Sequence, residues 1–264
     1  MIFSILLTLL LAQKTGHVLD PFESQHGLDV VKAFESLEDN SFDVIVYGSS
    51  HAWKGCDTRV MCDKYGLREY NYGCHWQAIN TTLLFLEDSL RTQNPKVVCI
   101  ELYNVGYIKQ NTDMDGQIYY TRPMKNFDGK RAYLKQCFGN DLERYASYYF
   151  PLIMFHDNWT EINSESFSPS DPGRWINNKG YYSCNTVNPF SLPDPNSFSQ
   201  LDLNASCVEV LHKMVKLCKD KQINIVFYTC PYIGDYHYND VMAKFAEENG
   251  CTYLNLFNYM HEIG

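Results

Sequence analysis

Two periods organise the hydrophobic and polar positions of this chain. Largely apolar runs occur at Val44 to Tyr47, Val97 to Leu102 and Ile223 to Cys230, interrupted by no more than two polar residues each. Such runs suit strands covered on both faces, as in a parallel sheet. Between them, apolar residues recur every three or four positions. This spacing predicts helices over about 78–92 (Ile79, Leu83, Leu84, Leu86, Leu90), 201–219 and 239–249, the last closed by Gly250 at a C′ position. Shorter strands are expected at Arg68 to Tyr72, ended by Gly73, and at Cys251 to Leu256. A short amphipathic helix carrying Val30, Val31, Phe34 and Leu37 precedes the first strand. Strands alternating with helices of this length imply an α/β fold, a doubly wound parallel sheet between two helical layers.

The alternation breaks at about 110–200, a stretch rich in Tyr, Asn, Ser, Pro and Trp that includes Ser168-Pro169-Ser170-Asp171-Pro172-Gly173. It holds a helical piece near Asp141 to Trp159. It reads as an irregular insertion over the carboxyl edge of the sheet, inside a single domain spanning 41–264. At the other end, Met1 to Ala12 is almost wholly apolar but too short for a bilayer, which needs about 20 such residues. It also lacks the basic residues that lead a signal peptide. A weak signal, part of a membrane anchor and a buried first helix all remain open. The absence of an amphipathic period favours a remnant of export or anchoring, hence membrane attachment through the amino terminus. Residues 13–40 then form a spacer and the short helix.

Composition narrows the function classes. With 264 residues, 45% hydrophobic and 15% aromatic, the chain can bury a sizeable core. Its net charge is −9 and no basic stripe appears, which argues against a nucleic-acid partner. Ten cysteines are scattered without a Cys-x-x-Cys pair, so a structural zinc site is not expected, and the redox compartment stays open. Asn80, Asn158 and Asn204 stand in Asn-x-Ser/Thr triplets, read as coincidental.

Chemistry concentrates at Phe42 to His51, where the run Val44 to Tyr47 stops at Gly48 and delivers Ser49, Ser50 and His51 onto a tight turn. Open α/β sheets bind ligands at the carboxyl ends of their strands. A serine on a strand-to-helix turn follows the logic of a nucleophile elbow, although Gly-x-Ser-x-Gly itself is absent. An ordinary strand-ending turn is the competing reading. His75 and Trp76, beside Gly73, are candidates for a pocket rim. His156, with Asp157 and Trp159, either lines a pocket or belongs to a helix that docks the insertion.

Gly48-Ser49-Ser50-His51 after Val44-Ile45-Val46, then Asn71-Tyr72-Gly73, then Val97 to Asn104, resemble the first three blocks of SGNH/GDSL-type hydrolases. The nearest branch has Gly-Ser-Ser-His in place of Gly-Asp-Ser and is common in bacterial envelope proteins, among them relatives of alginate O-acetyltransferases and of the D-alanyl transfer protein of teichoic acids. The resemblance covers about 40–110, and 220–264 by topology. It implies a flavodoxin-like sheet, serine esterase or acyltransferase chemistry on a small-molecule or glycan ester, an extracytoplasmic or envelope location, and no cofactor or metal. Ser50 takes the place of the nucleophile, Ser49 that of the usual Asp, and Gly73 and Asn104 those of the oxyanion donors. His51 is placed beside the nucleophile or against substrate. The family's Asp-x-x-His pair is not reproduced: Asn258 stands three positions before His261. His237, after Asp235-Tyr236, is the other candidate base. The missing pair and the half-length apolar start together suggest a chain clipped at both ends, and a degenerate member that only binds a glycan or protein is the alternative.

Overall fold

The fold is that of a computed structural model, which describes residues 26–110, 116–162, 172–183, 198–232 and 236–259. Its strands are β1 (Val44–Tyr47), β2 (Glu69–Asn71), β3 (Val97–Glu101), β4 (Ser199–Gln200), β5 (Asn224–Thr229), β6 (Tyr236–His237) and β7 (Thr252–Asn255). Its helices are α1 (His26–Phe34), α2 (Ser50–Gly55), α3 (Thr58–Tyr65), α4 (Ile79–Ser89), α5 (Gln117–Tyr120), α6 (Phe127–Phe138), α7 (Leu142–Tyr149), α8 (Pro151–Phe155), α9 (Pro172–Asn177), α10 (Ala205–Asp220) and α11 (Asn239–Asn249). Five strands form an all-parallel sheet in the order β2-β1-β3-β5-β7, flanked by helices in a flavodoxin-like α/β/α arrangement. β4 and β6 pair separately, also in parallel.

The apolar runs explain the layers. On β1, Ile45 and Tyr47 face a large core shared with Val98, Ile100, Phe227, α4 and α10. Val44 and Val46 face the opposite side, against Ala52 of α2 and Tyr228. A strand buried on both faces has to be apolar at every position, and β1 is. Each fully buried large side chain contributes roughly 1.5–3 kcal/mol. Side-chain oxygens close the helices that begin in loops: Asp57 accepts from the Arg59 N–H, Asp141 from Arg144 and Asn204 from Cys207. Asn80 is buried, with its amide on the Lys109 carbonyl, so the folded chain does not offer it for glycosylation.

The middle of the chain is more helical than its composition suggests. α5 packs on α1 and α6 on α4, and Tyr120, Tyr133, Leu134, Phe138 and Tyr148 enter the main core. A later stretch reaches the carboxyl edge of the sheet. The Asn71 N–H donates to the Lys179 carbonyl at 2.8 Å, the Tyr182 N–H donates to the Trp53 carbonyl at 2.9 Å, and the Tyr182 ring lies 4.8 Å from Trp53. Gly180, at φ +81°, passes so close to the Asn71 carbonyl that a Cβ would not fit. The proline-rich stretches at 168–171 and 191–195 lie outside the described residues, as do Asp235, Cys184 and the apolar amino terminus. Among the described residues every cysteine is free, no His/Cys/Asp/Glu cluster could hold a metal ion, and no helix is long and apolar enough to cross a membrane.

One buried group makes stability depend on pH. Glu69, at the start of edge strand β2, is 2% exposed, and its Oε2 has no hydrogen-bond partner. Burial, with the Asp57 charge adding to it, pushes its carboxyl up to about 7. The folded state therefore holds this proton through a pH range in which the unfolded chain has released it. Its contribution is complete below the unfolded value of 4.5 and is lost as pH rises through 7. Glu69→Gln should raise stability at pH 8 by up to about 3 kcal/mol and change it little at pH 4. Urea unfolding at the two pH values reads this difference, and an equal shift at both would contradict it.

Candidate functional site

The loops that follow β1, β2, β3 and β5 converge at the carboxyl edge of the sheet. β1 has β2 on one side and β3 on the other, so the chain leaves in opposite directions there and opens a crevice. Gly48, at φ +144°, turns the chain out of β1. Ser49 caps α2, its Oγ accepting from the His51 N–H at 3.3 Å, and Ser50 is the first residue of that helix.

The two serines have different surroundings. Ser49 is buried, and its hydroxyl donates to Glu101 Oε2 at 2.7 Å. Its N–H donates to the same oxygen at 3.1 Å, while the Tyr103 N–H donates to Oε1 at 2.6 Å. Glu101 is itself buried at the end of β3, and burial pushes its carboxyl up to about 7 despite these three donors. Ser50 is half-buried, and neither its hydroxyl nor its N–H has a hydrogen-bond partner among the described residues. An unpaired, reachable hydroxyl at this edge is what an attacking serine requires.

His51 does not touch the Ser50 hydroxyl. Its Nδ1 lies 3.2 Å from Ser49 Oγ, and its ring packs 4.3 Å from Tyr103 and 6.0 Å from Tyr232. Burial, then the charge of Lys54, lowers its pKa, which favours the neutral imidazole. The other candidate bases lie elsewhere. His237 pairs within β6, its Nδ1 accepts from the Asn239 N–H at 3.3 Å, and its ring sits 6.2 Å from Phe198. Tyr232 and Phe198 stand between that ring and His51. His261 lies outside the described residues.

Gly73 is close to the serine turn. A Cβ there would meet the Gly48 carbonyl at 3.0 Å and the Trp53 amide nitrogen at 3.1 Å, so glycine permits this approach. Its N–H donates to Asn71 Oδ1 at 3.2 Å rather than into the crevice. Asn104 is buried, with its Nδ2 on the Gln77 carbonyl at 3.4 Å. In both residues the donor is held by an internal acceptor. His75 is exposed, one ring further out than Trp76, whose indole lies 6.1 Å from Tyr103. His156 is exposed on a 3-10 turn, paired with Asp157, while neighbouring Phe155 docks on Tyr119.

Two residues that organise the site were not singled out from the chain's pattern. Glu101 was visible as the charge that ends an apolar strand at the carboxyl edge of the sheet. Gln77 carries no such signal, yet it ties three loops together. Its Oε1 accepts from the Gly48 N–H (2.9 Å) and from Thr82 (3.0 Å), and its Nε2 donates to the Tyr72 carbonyl (3.1 Å). No protein-family model matches the chain, and no curated protein matches it.

Proposed function

We propose that the crevice performs serine ester chemistry, hydrolysing or transferring small acyl groups such as acetyl carried by a glycan or a similar alcohol. The observation that carries this reading is the Ser50 hydroxyl, half-exposed and unpartnered beside its own unpaired N–H, at the switch point of a parallel sheet. The hydroxyl oxygen attacks the ester carbonyl, and the developing oxyanion takes the Ser50 N–H. Gly73 supplies a second donor once its N–H turns from Asn71 Oδ1 toward substrate. Trp76, Tyr103 and Tyr232 line the approach with apolar rings, and the Trp76 indole is 47% exposed. Such a row suits stacking on a sugar face. The resemblance to SGNH/GDSL-type hydrolases and their envelope branch points the same way.

A second reading rests on the committed donors: with the Gly73 N–H and the Asn104 amide both occupied internally, the same crevice binds a glycan without turning it over. Hydrolysis of p-nitrophenyl acetate by the native protein and by Ser50→Ala separates the two. The ester reading expects at least a hundred-fold loss in kcat for the variant. Equal rates would leave binding alone.

A further inference from the structure

We propose that Glu101, Ser49 and His51 form a hydrogen-bond relay that holds His51 Nε2 as the proton acceptor serving Ser50. This proposal rests on the ester reading for its reaction, and on the hydrogen-bond geometry alone for its existence.

Ser49 has a single hydroxyl proton to give. At 2.7 Å from Glu101 Oε2, and with the Ser49 and Tyr103 amides already donating to that carboxylate, the proton points at Glu101. Ser49 Oγ then has only lone pairs left for His51 Nδ1 at 3.2 Å. Nδ1 must therefore be the donor, which leaves the lone pair on Nε2. Nε2 has no hydrogen-bond partner among the described residues. The ring cannot swing freely, because Tyr103 and Tyr232 pack on it and its main chain belongs to the first turn of α2. A buried carboxylate is expensive unless it is hydrogen-bonded, and this one spends its bonds on orienting a serine that orients a histidine.

The order carboxylate–serine–imidazole places a hydroxyl where a catalytic triad has direct contact. Because Ser50 and His51 are adjacent at the start of a helix, their side chains diverge, and one water bridges them. As the Ser50 oxygen bonds to the ester carbon, its proton passes to the water, and the water passes a proton to Nε2. The carbonyl electron pair moves onto oxygen. When the tetrahedral species collapses, the imidazolium returns the proton through the same path to the departing alkoxide. Above about pH 7, where Glu101 is ionised, it stabilises the imidazolium through Ser49. Ser49 and Glu101 are thus positioning residues. The other titratable groups near the ring are Lys54 on its own helix, Tyr103 beyond β3 and Tyr232 beyond β5, while the Cys230 thiol reaches the His51 main-chain carbonyl.

The tautomer is read by 15N chemical shifts of the His51 ring, assigned with His51→Gln, in the full chain above pH 7. The relay expects the neutral ring protonated at Nδ1, with Ser49→Ala shifting it toward the Nε2-protonated form. Kinetics on p-nitrophenyl acetate give the second readout. His51→Gln should lower kcat at least a hundred-fold with little change in KM. Ser49→Ala and Glu101→Gln should lower it about ten-fold, in the range typical of orienting partners. Both should also move the acidic limb of the pH–rate profile downward, because an imidazolium without its carboxylate gives up its proton more readily. A purely structural role would leave that limb in place. Nε2 protonation in the native protein, or a tautomer indifferent to Ser49→Ala, would overturn the relay even in an active enzyme. A native protein with the Nδ1–H tautomer but no hydrolysis would instead remove the ester reading and leave the relay standing.

Discussion

Gln77→Leu is expected to destabilise the protein by about 3 kcal/mol, although leucine is apolar, of similar size and enters a buried position. The native amide pairs the Gly48 N–H and the Tyr72 carbonyl, both at the carboxyl edge. Leucine leaves both groups buried without partners, and each unpaired group costs about 1–3 kcal/mol. Gln77→Glu separates this cause from simple packing. A carboxylate can still accept from Gly48 and Thr82, but it donates to the Tyr72 carbonyl only when protonated. Its defect should therefore be small at pH 5 and larger at pH 8, while that of Gln77→Leu should not change with pH through this group. Urea midpoints for the three proteins at both pH values provide the check. A leucine variant as stable as the native protein would show that the three loops hold together without this bridge. The same substitution should speed hydrogen exchange at the Gly48 amide, since it removes that group's acceptor.

Gly48→Ala should cost about 3–4 kcal/mol and dismantle the serine turn with it. At φ +144° the backbone there is in a region that L side chains rarely adopt. A methyl group would also sit 2.5 Å from Glu101 Cβ and 3.2 Å from Ala52 Cβ. Neither neighbour is the flexible end of a side chain, so relief requires β3 or α2 to move, and either movement breaks the Ser49–Glu101 bond. Removing the obstruction on the other side tests this account. Gly48→Ala with Glu101→Gly should be less destabilised than the sum of its single variants, because the contact that makes them costly is shared. Strict additivity in thermal or urea unfolding would place the strain in the backbone angle alone.

How much of this was legible in the chain varies with the kind of signal. β1, β3 and β5 could be read from largely apolar runs, since burial on both faces of a parallel sheet leaves no polar position in the centre of a strand. α11 could be read with both of its ends, because Gly250 adopts the left-handed conformation that stops it. α10 starts at Ala205 rather than 201, where the Asn204 side chain caps it. The helical piece expected near Asp141 to Trp159 is present as α7, α8 and a 3-10 turn, while the helices between 117 and 138 were less visible. Their apolar faces are built from tyrosines, which look amphipathic in any local pattern, and become buried only against α1 and α4. At the site, Gly48, Ser49, Ser50 and Gly73 could be located from turn chemistry and their spacing from strands. The partners of Ser49 and Gly48 could not, because Glu101 and Gln77 are respectively about fifty and nearly thirty residues from the groups they hold.

The chain on its own therefore determined the α/β class, the strands of the central sheet and the edge at which Ser50 stands. These are local properties, written in periodicity and in where glycine falls. Only the tertiary structure decided which serine is sequestered and which is free, that the imidazole pairs with Ser49 and not Ser50, and that the Gly73 and Asn104 donors point inward. A hydrogen bond depends on angstrom-scale placement of groups brought together by the pairing of β1 with β3, and no pattern along one strand encodes what its neighbour will present.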